Sequence, residues 1–169
     1  SHLHEDHVGA VADICKAGAR DVRVFMTRAQ AERPTLLTRA GLSAVEAAPC
    51  MTIELLAGGS LKQEAAKAKA VPGFDGVWVI AAGGHTPGSQ LVVIKVAGEK
   101  RVRSYIAVGD IVNSHDGIRY DLGKPLLYRT LVVPEFEGRL RALRTLLRES
   151  EKAGALMLVS HDQVWLDRI

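Results

Sequence analysis

Cysteine is scarce in this 169-residue chain: Cys15 and Cys50 are the only two. That is too few for a small secreted domain held together by disulfides. Two ordinary buried thiols are expected, with a single bridge between them as the alternative. An excess of either charge is also missing. Lys plus Arg is 22 and Asp plus Glu is 19, a formal net charge of +3. Bases matched so closely by acids exclude a strong polyanion-binding stripe, so no nucleic-acid partner is expected. No apolar run approaches the roughly 18 residues of a membrane-spanning helix, so no membrane partner is expected either. Repeats and low-complexity tracts are absent. The compartment stays open, with the cytoplasm as the default.

What is present suits one globular domain, read as residues 1–169. The hydrophobic fraction is 47%, too high for disorder. A chain of this length buries roughly 70% of its unfolded surface. Val8, Val11, Ala12, Cys15 and Ala19 form one helical stripe, predicting a helix that starts after His7 and buries Cys15. Val22 to Thr27 alternates as a strand. From about residue 28 to 70, Pro34, Pro49 and Gly58-Gly59 break up short helical pieces, ending in the alanine- and lysine-rich 61–70; this reads as a helical covering segment. Strand-like runs follow at 77–80, 91–94 and 105–108. Residues 136–153 carry Leu140, Leu143, Leu146 and Leu147 on one face and arginines on the other, a surface helix. A last strand covers 155–159. Strands alternating with helices give an α/β layered fold.

The informative feature is the placing of the histidines. Of six, His2, His4 and His7 lie in the string Ser1-His2-Leu3-His4-Glu5-Asp6-His7. On an extended segment His2, His4 and Asp6 share one face, and His7 follows where the helix begins. His85, Asp110 and His161 each follow the carboxyl end of a predicted strand, where ligands gather in layered α/β folds. Imidazole and carboxylate donors suit zinc, and iron or manganese as well. The sixth, His115, reads as an exposed loop residue, with substrate binding as the alternative.

Ser1 to Gly9 resembles the His-x-His-x-Asp-His signature of the metallo-β-lactamase-fold hydrolases. Gly84-His85-Thr86-Pro87-Gly88-Ser89, Val108-Gly109-Asp110 and Val159-Ser160-His161-Asp162 resemble the later motifs of that superfamily, in order. The resemblance implies an αββα sandwich with a dinuclear metal site, most commonly zinc. His2, His4 and His85 would hold the first ion, Asp6, His7 and His161 the second, and Asp110 would bridge them. Two such cations lower the pKa of a shared water from 15.7 toward about 7, giving a hydroxide at neutral pH. Asp6 would orient that hydroxide and relay its proton, so Asp6 and Asp110 are the catalytic candidates.

The expected function is a dinuclear hydrolase of a small-molecule lactone or ester. Thioester or phosphodiester hydrolysis, a non-catalytic binding protein of this fold and a mononuclear iron oxygenase are the alternatives. Asp110 stands where many true β-lactamases of the fold carry cysteine. Asn113 stands where lactonases of the fold carry tyrosine, although Tyr105, Tyr120 or Tyr128 could approach from elsewhere. In the superfamily the histidine loop follows a run of N-terminal strands, whereas here it occupies residues 2–7. The expectation is therefore a first sheet lacking its N-terminal part, those strands coming from an omitted segment, another chain or a homo-oligomer, with a fold rebuilt around a truncated sheet as the alternative.

Overall fold

The computed structural model describes residues 1–56, 68–99, 101–128, 130 and 135–167. Most of the 61–70 piece singled out above lies outside these residues. Extended residues lead into α1 (Glu5–Val8) and α2 (Val11–Lys16). The expected helix is thus two short pieces, and it begins earlier than His7. Glu5 and Asp6 occupy the first turn of α1, where carboxylates favour the positive helix end. Asp6 accordingly does not continue the extended alternation of His2 and His4.

The alternating residues of β1 (Val22–Thr27) pair in parallel with β2 (Met51–Leu56), Val24 opposite Ile53. The 28–70 segment is therefore not helical throughout. Met51 and Ile53 pack on the cluster of Leu3, Met26, Leu42 and Val45, a period-two pattern with Thr52 exposed. A parallel pair needs a long crossover, here α3 (Arg28–Glu32) and α4 (Leu36–Ala47). The Thr27 hydroxyl caps α3 by accepting from the Gln30 N–H, and Thr35 and Thr38 cap α4 reciprocally.

The second sheet runs β3 (Lys69–Ala70), β4 (Val77–Ala81), β5 (Gln90–Ala97), β6 (Val102–Gly109) and β7 (Leu156–Val159) in that spatial order. Neighbours are antiparallel except β6 and β7. Its core joins Ile80, Leu91, Ile106, Val108 and Met157 to Ile118 of α5 (His115–Arg119) and to Leu140, Leu143 and Leu147 of α6 (Glu137–Lys152). Two details of α6 differ from the amphipathic reading. Leu146 is 39% exposed, and Arg144 is buried. Its guanidinium donates to Asp121 and Glu137, each at 2.7 Å, which satisfies the buried charge. A short helix, α7 (Gln163–Leu166), follows β7.

The cysteines are bonded rather than free: Cys15 of α2 bridges to Cys50, immediately before β2. Their Cα atoms are 5.5 Å apart, a closeness set by tertiary packing across 35 residues of sequence. The two sheets are joined by a few specific contacts. Gln90 Nε2 donates to the Phe25 carbonyl at 3.1 Å, and the Thr27 hydroxyl to the Gly88 carbonyl at 3.3 Å. Beside these, Val24, Met26, Val79 and Val92 line an apolar trough of about 460 Å³ between the sheets.

Candidate metal centre

Three turns and one loop carry the site. Residues 1–4 run alongside β5, where the Gln90 N–H donates to the Ser1 carbonyl. The first turn of α1 then presents Asp6 and His7. His85 leaves β4 through Gly83 and Gly84, both with positive φ (63° and 86°) that a side chain disfavours. Thr86 and Ser89 lock the turn beyond it: Ser89 Oγ accepts from the Thr86 N–H at 3.0 Å and lies 2.8 Å from Thr86 Oγ1. Gly88 lets this turn sit on α3, since a Cβ there would fall 2.3 Å from Gln30 Cα. Asp110 follows Gly109 (φ 58°) at the end of β6, and His161 follows β7.

The structure brings all seven residues singled out in the sequence into two groups that share Asp110. In the inner group His4 Nδ1 lies 3.0 Å from His2 Nε2 and 3.2 Å from His85 Nε2. Asp110 Oδ2 is 3.6 Å from His85 Nε2 and 4.0 Å from His2 Nε2. In the outer group Asp110 Oδ1 is 3.0 Å from His7 Nε2 and 3.2 Å from His161 Nε2. Asp6 Oδ2 completes it, 3.4 Å from His161 Nε2 and 3.7 Å from His7 Nε2. His2 and His85 are buried and His4 is half-buried, whereas Asp6 and His161 face solvent.

Does this donor set fit cations? Burial, then the neighbouring imidazoles of His85 and His7, pushes the His2 pKa down to about 2. Burial lowers that of His4 as well. Both rings are neutral at pH 7, and a neutral imidazole is the form that ligates a metal. Burial opposes ionisation of Asp110, but His7 beside it, with His2 and His85, holds its carboxyl well below the ordinary range. His7 Nε2 and Asp110 Oδ1, although 3.0 Å apart, are buried without a hydrogen-bond partner among the described residues. Imidazoles gathered around an ionised carboxylate, His2 and His4 among them neutral, fit a pair of divalent cations.

Around the groups lie residues that the sequence did not single out. The Ser1 hydroxyl is 3.1 Å from His2 Nδ1 and 3.4 Å from His7 Nδ1. Glu135 Oε1 is 2.6 Å from His85 Nδ1 and accepts from Lys124 Nζ at 2.7 Å. An acid just ahead of α6 already has a reading as a helix N-terminal charge, so nothing in the sequence marks Glu135 as a partner of His85. His115 lies outside both groups, and its side chain is only 14% exposed, against the expectation of an exposed loop residue. It reaches Glu151 at 2.5 Å while its backbone N–H donates to Asp162.

A cleft of about 390 Å³ opens over the site, lined by His4, Glu5, Asp6, Asp110 and His161 and walled by Leu37, Asn113 and Tyr128. Of the three tyrosines considered, Tyr128 reaches this cleft. Burial, with Glu135, Asp110 and Asp6 nearby, raises its pKa, so the phenol stays protonated.

No protein-family model matches the sequence, and no curated protein does. Among solved structures the chain is similar to an N-acyl homoserine lactone hydrolase with the product N-hexanoyl-L-homoserine bound at its catalytic metal center. Identity is 16% and the TM-score 0.66, covering 99% of this chain and 56% of that one. A point mutant of AiiA from B. thuringiensis, with N-decanoyl-L-homoserine bound at the active site, matches at 16% identity and a TM-score of 0.64 over the same shares. A quorum-quenching N-acyl homoserine lactone lactonase matches at 17% and 0.64, covering 99% of this chain and 58% of that one. These likenesses show the fold, that of the metallo-β-lactamases, and the chain spans little more than half the length of the structures it matches.

Proposed function

We propose that this chain carries the active centre of a dinuclear metal hydrolase acting on a small lactone or ester. The observation behind the reading is the position of Asp110 between the two groups: Oδ2 faces His2 and His85, Oδ1 lies 3.0 Å from His7, and His161 Nε2 is within 3.3 Å of both oxygens. His2, His4 and His85 would hold the first ion, Asp6, His7 and His161 the second, with Asp110 between them. Zinc suits these donors best, ahead of iron or manganese. Bound there, the pair supplies electrophilic polarisation and a nucleophilic water at neutral pH.

The chain's own residues do the rest. The cleft admits the substrate carbonyl beside His4, Asp110 and His161, with Leu37 as an apolar wall. Hydrolysis forms a bond from water oxygen to the carbonyl carbon and breaks the bond to the ring or ester oxygen. One proton must move from the water to that leaving oxygen. The Asp6 carboxylate, exposed in the cleft and 3.4 Å from His161, is placed to accept and return it. The protonated Tyr128 phenol is a donor for the substrate oxygen. The apolar trough between the sheets would be covered by further strands, from a longer chain or from a second copy.

The test is metal content together with turnover. The chain, purified without chelators, is expected to hold about two zinc ions and to open lactones or esters in preference to thioesters and phosphodiesters. Asp110→Ala should lose metal and fall to background turnover. Less than one ion per chain with no turnover on any of the four classes would refute the proposal.

A further inference from the structure

Lys124 and Glu135 stand on either side of Tyr128 in sequence, and their side chains meet in the interior. Lys124 Nζ is 2.7 Å from Glu135 Oε1, and the two side chains are 4% and 0% exposed. A buried ion pair is costly to desolvate and is weak evidence of stabilisation, so its placement calls for another explanation. That placement is against His85. Glu135 Oε1 lies 2.6 Å and Lys124 Nζ 3.2 Å from His85 Nδ1. An ammonium group has only donors. Both Lys124 Nζ and a proton on His85 Nδ1 can therefore donate to Oε1, which has room for two. That arrangement leaves His85 Nε2 with its lone pair free, on the side where His4 Nδ1 and Asp110 Oδ2 lie 3.2 Å and 3.6 Å away. The ammonium balances the carboxylate, so no uncompensated charge is buried beside the ring. The same ammonium stands 5.2 Å over the ring of Tyr128, the aromatic wall of the cleft.

We infer that Lys124 and Glu135 form a clasp that fixes the His85 ring and tautomer for the inner metal position and holds Tyr128 against the cleft. Both are positioning residues, and the inference rests on the metal reading above. It predicts that the inner position and the cleft wall are set together by one buried pair.

Zinc competition against a chelator, on the full chain, tests this. Glu135→Asp keeps the charge pair but draws the carboxylate back from His85. Its zinc affinity should fall roughly 10–100-fold at one of two positions, with the other unchanged. Lys124→Met combined with Glu135→Gln removes both charges together, so no lone buried ion threatens folding. It should show the same one-position loss. In labelled-tyrosine spectra the Tyr128 ring signal should move when zinc is added to the wild type and stay still in this double variant. A purely structural pair would lower the melting temperature of the metal-free protein without splitting the two zinc affinities. Wild-type affinity at both positions in either folded variant, with the Tyr128 signal still moving, overturns the inference. A wild-type chain that binds no zinc overturns the metal reading instead, so the two failures are distinguishable.

Discussion

The two halves of the molecule give almost equally to the site and are held together very differently. The five-stranded half contributes His85, Asp110 and His161 from turns at strand ends, backed by a cluster of thirteen buried apolar residues among those described, under α5 and α6. The two-stranded half contributes His2, His4, Asp6 and His7 from a loop and one helical turn, backed among the described residues by a smaller buried cluster of Leu3, Met26, Leu42 and Val45 with partly buried neighbours such as Val24 and Ile53. Burial at roughly 25 cal/mol per Å² stabilises the first much more than the second. The thin half is held by other means: the Cys15–Cys50 bridge, and the close approach of α4 to the ligand loop at Gly41. The candidate centre, drawing residues from both sides, thus rests on one side held by packing and another held by covalent and backbone contacts.

Three substitutions would break or sharpen this contrast. The largest effect is expected from replacing both cysteines with serine. Loop-closure entropy over 35 residues corresponds to about 4 kcal/mol of stability. Urea unfolding should show that loss, and zinc affinity should fall with it, because α2 follows the ligand loop directly. An unchanged unfolding midpoint would mean that the thin half needs no staple. Next, Leu147→Ala in the five-stranded half should cost about 3 kcal/mol through the cavity it leaves. Zinc affinity of the folded fraction should stay at the wild-type level, since Leu147 belongs to the apolar cluster under α6 rather than to either candidate metal group. A matching fall in affinity would show that the halves do not behave separately.

The smallest of the three is Gly41→Ala. A Cβ there would fall 2.1 Å from the Leu3 carbonyl oxygen, so α4 must shift away from the segment between His2 and His4. The cost is about 1–3 kcal/mol, with zinc affinity reduced beyond what the stability loss alone explains. Calorimetric titration on the folded protein separates the two quantities.

The fold was legible where pattern and partner are local. The strand at 22–27 announces itself by alternation and those at 77–80 and 105–108 by short apolar runs, and β4, β5 and β6 then pair with their neighbours in sequence. The residues that the structure gathers into two groups were legible because all seven are of ligand type and follow strand ends or open the chain. What escaped depends on distant partners. The bridge needs Cys15 and Cys50 to meet across 35 residues. β2 becomes a strand only beside β1, and the six residues Met51–Leu56 amid helix-like neighbours carry little signal alone. Lys124, Glu135 and Arg144 are charged residues of types that usually face water. Their burial follows from what the fold places around them. Acids that favour a helix start also fit an extended alternation, so the sequence alone does not show that Asp6 sits in the first turn of α1.

The parallel pairing of β1 with β2 also bears on how the chain acquires its shape. Contacts between sequence neighbours, such as those joining β4, β5 and β6, close short loops, and short loops form fast. The β1–β2 contact must wait for the whole α3–α4 crossover to be in place. We expect hydrogen-exchange protection to arise in β4–β6 ahead of β1–β2 during refolding, and simultaneous protection would contradict this order. The half already assembled would then act as a template, and the histidine loop would be the last part of the centre to arrive.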